Sequence, residues 1–154
     1  MKQVLFYDKG YEKTGKSASI KAVFRELASR VPKEDVKRLE GSEDAYVKAD
    51  IRGIIKYRDV MIGIESQGDP QSKLPNHICE FIGNNCSIIV CACRTKGKDF
   101  DGVFDIIRAK GYAEFACPHF CVKDLQEDTY PQLNSEYASQ VARWIDQWID
   151  NYKD

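Results

Sequence analysis

Gly10-Tyr11-Glu12-Lys13-Thr14-Gly15-Lys16-Ser17 fits the pattern G-x-x-x-x-G-K-S/T at every fixed position. Before it runs Val4-Leu5-Phe6-Tyr7, a short apolar strand. After it Ile20, Val23, Phe24 and Leu27 recur at the spacing of one helical face. The order is strand, glycine loop, helix. Gly10 and Gly15 permit backbone angles that a side chain would forbid, so the N–H groups of residues 11 to 17 can converge on a cluster of negative oxygens. The helix expected to begin near Lys16 adds its positive end to the same place.

In that context the stretch resembles the phosphate loop of the P-loop nucleoside triphosphatases. The resemblance implies that Lys16 reaches the terminal phosphates and that the Ser17 hydroxyl ligates magnesium. It makes Gly10, Lys13, Thr14, Gly15, Lys16, Ser17 and Ala18 the nucleotide-contacting positions. Tyr11, Glu12, Lys13 and Thr14 fall at variable places in the pattern, and no role is assigned to their side chains.

A chain of 154 residues is expected to form one domain over residues 1–154, large enough to bury a core without disulfides or metal. With 43% hydrophobic and 31% charged residues and a net charge of -1, the composition suggests neither disorder nor a surface for coating nucleic acid. No apolar run is long enough to cross a membrane, and the first residues lead directly into strand and loop without a signal-peptide core. The expected location is the cytoplasm. The six cysteines are accordingly expected to be reduced. Cys91 and Cys93 lie two apart in an apolar run, as do Cys117, His119 and Cys121, so adjacent strands could gather thiols and an imidazole around a metal. The plainer reading is that these are small buried hydrophobes.

Residues 33–48 are heavily charged and read as a short exposed helical turn plus loop. Residues 51–57 and 60–65 are two β-like runs separated by Arg58-Asp59, which predicts an antiparallel hairpin. The second run ends at Glu65-Ser66-Gln67-Gly68-Asp69. A strand ending in an acid beside the phosphate loop is where the P-loop resemblance implies a carboxylate that orients magnesium or its water. Glu65 is the candidate, with Asp69 second for that role, and Asp69 or Gln67 would place an attacking water. The element order resembles the Ras-like GTPases, in which an aspartate opens D-x-x-G; here Glu65 stands instead, a longer arm suited to a water-mediated contact. The bland alternative is that Glu65 and Asp69 end a strand and cap the next helix.

Leu74, Ile78, Phe81 and Ile82 share a helical face that ends at Asn84-Asn85. Residues 87–93 form a nearly continuous apolar run, as expected of a central parallel strand covered on both sides. Arg94 and Lys96 at its carboxyl end are phosphate-contact candidates, since ligands of open parallel sheets sit beyond the strand carboxyl ends; a solvated basic loop is the alternative. Ras-like GTPases read guanine with N-K-x-D here, and Arg94-Thr95-Lys96-Gly97 lacks both its asparagine and its aspartate. Guanine specificity is therefore not supported. Phe100, Val103, Phe104 and Ile107 mark a further helix closed by Lys110-Gly111, residues 112–122 a last strand, and Tyr137, Val141, Trp144, Ile145, Trp148 and Ile149 a C-terminal helical stripe. That stripe is read as core, or, through its tryptophans, as a dimer face.

The expected fold is a three-layer α/β/α domain of the P-loop kind, with about six strands, mostly parallel with one antiparallel member. The expected function is magnesium-dependent hydrolysis of a nucleoside triphosphate, ATP before GTP. Lys16 would neutralise charge on the phosphates, and Ser17 and Glu65 would hold the metal. The alternatives are a small-molecule or nucleotide kinase and a non-catalytic nucleotide-binding module. A protein partner or a homodimer is compatible with each.

Overall fold

The run Ile88–Arg94, almost wholly apolar, lies where such a run is most stable, between two parallel neighbours with helices over both faces. The computed structural model describes residues 1–10, 16–39, 50–66, 73–94, 98–117 and 130–154, with only the backbone at 9, 10, 16, 17, 94, 98–100 and 130. In chain order its strands are β1 (Val4–Gly10), β2 (Val36–Arg38), β3 (Arg52–Tyr57), β4 (Val60–Glu65), β5 (Ile88–Arg94) and β6 (Ala113–Cys117). They form one sheet in the order β2-β3-β4-β5-β1-β6. β4, β5, β1 and β6 are mutually parallel, and β3 runs against both β4 and β2. The mostly parallel α/β sheet with one reversed strand expected from the sequence is thus present.

The hairpin follows from its turn. Arg58 and Asp59 both take positive φ, 51° and 63°, the backbone of a two-residue turn whose twist matches that of the strands it joins. β2 is a departure. The charged segment was expected to be a helical turn plus loop, and a 3-10 turn does form at Lys33–Asp35, but Val36–Arg38 then pairs with Gly53–Ile55 as an edge strand. Its exposed Lys37 and Arg38 carry no apolar alternation, so backbone pairing with β3 makes the strand, and charge keeps the open edge solvated. Residues 40–49 lie outside the described set.

Alternation along β1 divides the core. Val4 and Phe6 face α1 (Lys16–Ala28) and α4 (Tyr130–Tyr152), whereas Leu5 and Tyr7 face α2 (Leu74–Gly83) and α3 (Lys98–Ala109). The expected stripes are the buried ones: Ile20, Val23, Phe24 and Leu27 on α1, and Tyr137, Val141, Ile145 and Ile149 on α4. On the opposite side Leu74, Ile78 and Phe81 of α2 meet Val103, Phe104 and Ile107 of α3. Asn85 at φ 61° and Gly111 at φ 77° end the two helices of that side.

The tryptophans are used within the chain. Trp144 stacks against Phe115 of β6 with ring centres 5.2 Å apart, and Trp148 meets Phe6 edge-on. The Trp148 indole N–H donates to the Lys2 carbonyl at 2.9 Å. Both rings therefore close the β6 side of the sheet, which is work the dimer-face reading had left out of account. β6 itself stops at Cys117; the remainder of the strand expected over 112–122 lies outside the described residues.

Candidate functional site around the carboxyl ends of the parallel strands

β1 ends at Gly10 and α1 begins at Lys16, so the Gly10–Ser17 stretch bridges the carboxyl end of a central parallel strand and the amino end of a helix. Lys13, Thr14 and Gly15 lie outside the described residues, as do the side chains of Lys16, Ser17 and Arg94. Ala18 is exposed. In the β1–β5 ladder Gly10 is the register partner of Arg94, so the tip of β5 and the start of the loop share one edge of the sheet. Lys96, Gln67 and Asp69 lie outside the described set.

Glu65 closes β4, as expected, but β4 does not border β1. β5 stands between them, and Glu65 is in register with Cys91. The most apolar run takes the central place, so the acid ends a strand one place removed from β1. Glu65 is 2% exposed, and its Oε2 lies 2.8 Å from Nδ1 of His77 on α2. Arg52, directly across the β3–β4 ladder from Glu65, holds Glu80 at 2.8 Å. Two acids and two bases thus meet where β3, β4 and α2 join. His77 is held below its ordinary pKa by burial first and by the charge of Arg52 second, with Glu80 opposing. Burial is the largest of these causes, and it disfavours the charged imidazole. Beside this group Ser66, 1% exposed, accepts the Ile51 N–H at 2.8 Å and donates to Asp50 at 3.1 Å, tying the end of β4 to the start of β3.

A second polar group lies on the other face of the sheet, near the carboxyl ends of β1 and β6. Asp8, fully buried two residues before Gly10, is the register partner of Cys117 on β6 and points toward α4. There it faces Tyr137, whose hydroxyl is pushed far up by burial and then by the charge of Asp8, and so stays protonated. Cys117 is pushed up to about 12 by burial, with Asp8 adding to the effect. Ser19, in the first turn of α1, donates its hydroxyl to Oδ1 of Asn134 on α4 at 3.0 Å.

Sequence reasoning passed over Asp8, Ser19, Arg52, His77, Asn134 and Tyr137 as site residues. One signal was available: an aspartate directly after an apolar run and two residues before a glycine loop. The others take their meaning from contacts with residues distant in the sequence.

The metal grouping fails for its described members. Cys91 and Cys93, with sulfurs 3.5 Å apart, face α2 and α3, whereas Cys117 faces α1 and α4. β1 separates their strands. His119 and Cys121 lie outside the described residues, among which no three metal-ligating side chains gather. Nor, among those residues, is any helix long and apolar enough to cross a membrane.

Comparison with protein-family models, with curated proteins and with solved structures found no match for this chain.

Proposed function

We propose that the chain binds a nucleoside triphosphate at Gly10–Ser17 and hydrolyses it with magnesium, with ATP favoured over GTP because the guanine-reading pattern is missing. One observation carries this reading: a complete G-x-x-x-x-G-K-S stretch spans the junction between the carboxyl end of β1 and the amino end of α1. At that junction free backbone N–H groups and the helix dipole act together on an anion. The mostly parallel sheet with helices on both faces supports a three-layer P-loop fold.

The donors suit magnesium. The Ser17 hydroxyl and the Glu65 carboxylate are hard oxygen ligands, and the longer arm of Glu65 suits contact through water. Magnesium, when bound, supplies positive charge to the phosphate oxygens. Lys16 binds and neutralises the terminal phosphates, Gly10, Lys13, Thr14, Gly15 and Ala18 frame the nucleotide, Arg94 adds a cation at the rim, and Asp69 orients water.

Calorimetric titration with ATP, GTP and their non-hydrolysable analogues, in magnesium and in EDTA, tests the proposal. Magnesium-dependent binding is expected, and Lys16→Ala is expected to weaken triphosphate binding far more than monophosphate binding. Equal affinities in the two proteins would remove the phosphate-loop assignment. Tight binding without turnover would favour the non-catalytic module, and phosphate transfer to an added acceptor the kinase.

A further inference from the structure

Glu65 ends β4 at 2% exposure, and two elements supply its surroundings. Across the β3–β4 ladder its register partner is Arg52, so the two side chains leave the same face of the sheet. Over that face lies α2, whose His77 brings Nδ1 to 2.8 Å from Glu65 Oε2. Three residues on, and so on the same side of the helix, Glu80 takes the Arg52 guanidinium at 2.8 Å. α2 therefore meets the hairpin through two ion pairs one turn apart. Its apolar residues Leu74, Ile78 and Phe81 already seat it on the sheet, so packing alone does not call for an imidazole at position 77. Burying a carboxylate is costly unless it is partnered, and His77 is placed to serve the acid rather than the core.

We infer that His77 is a positioning residue for Glu65, limiting the orientations open to the carboxylate that serves magnesium, while the Arg52–Glu80 pair fixes the helix that carries His77. This rests on the reading of Glu65 as a magnesium carboxylate given above. A partner that touches a ligating group but not the metal sets the direction and strength of that ligand. Its loss is felt in metal-dependent binding and not in binding without metal.

The quantity that tests this is the factor by which magnesium strengthens ATP binding, taken as the Kd in EDTA over the Kd in saturating magnesium. Each variant is titrated by calorimetry below its unfolding temperature, and its Tm is recorded without nucleotide. His77→Leu removes the imidazole and is expected to lower the factor about 10- to 100-fold, with the Kd in EDTA unchanged. His77→Asn, whose amide nitrogen takes the place of Nδ1, is expected to recover most of the factor; His77→Gln, whose nitrogen lies one bond further out, is not. In the Glu65→Gln background His77→Leu is expected to change the factor no further. A lowered Tm in His77→Leu with a wild-type factor would overturn the inference, since packing alone moves the first and not the second. Should His77→Leu fail to fold, the comparison of His77→Asn with His77→Gln decides, and equal factors in those two overturn it. If Lys16→Ala abolishes ATP binding and Glu65→Gln lowers the factor while His77→Leu does not, the role of His77 alone falls. A wild-type factor in Glu65→Gln, or a wild-type protein that binds no ATP, removes the magnesium reading of Glu65 and the role of His77 together.

Discussion

His77 lies against the buried acid Glu65, and its titration has a definite sign. Its folded-state pKa lies below the unfolded value of about 6.5. The unfolded chain therefore takes up the proton more readily, and the folded state loses stability as pH falls from about 6.5 toward the folded pKa. His77→Gln removes that contribution. Urea unfolding at pH 7.5 and pH 5.5 should show a smaller loss of stability on acidification in the variant than in wild type; an equal loss would mean that His77 titrates alike in both states. Nothing in the local sequence announces this residue. It lies on α2, and its partners Glu65 and Arg52 come from two other elements. The fixed positions of the Gly10–Ser17 pattern are the opposite case, because the role proposed for them rests on eight consecutive residues.

At the scale of elements, α2 sits close against the sheet at Gly63. A Cβ built on Gly63 of β4 would stand 2.5 Å from the Phe81 ring. Gly63 thus admits the ring to the surface of the sheet, and Gly63→Ala is expected to cost about 1–3 kcal/mol by forcing it aside. Phe81→Leu in the Gly63→Ala background should recover part of that loss, giving a non-additive double-mutant cycle in urea denaturation. Additive losses would show that the two residues do not meet. The helices were legible as apolar stripes because a period of 3.6 is local. β2 was not, because three residues with exposed charges acquire strand character only when β3 presents its edge.

Across the whole molecule, Asp146 of α4 ties together parts that are far apart in sequence. Its carboxylate accepts from the Tyr57 hydroxyl at 2.9 Å and from Arg58 at 3.0 Å, and it lies 3.5 Å from Arg30 at the end of α1. Arg58 also pairs with Asp150. Asp146→Ala is expected to cost on the order of 1–2 kcal/mol, because the group is partly screened by solvent yet serves several partners. Asp150→Ala, at a more exposed position, should stay within about 0.5 kcal/mol. Chemical denaturation of the two variants checks the order, and equal costs would deny Asp146 its linking role. The sequence by itself determined what depends on neighbours along the chain: the glycine loop with its flanking strand and helix, the hairpin turn at Arg58-Asp59, the apolar faces of the helices and the nearly parallel sheet. Only the tertiary structure decided which strands adjoin. That choice put β5 between β1 and β4, set Glu65 against His77, and turned Cys117 away from Cys91 and Cys93. The reason is physical: strand order follows from how apolar surface is shared between two layers of helices, a property of the assembled sheet that no single segment carries.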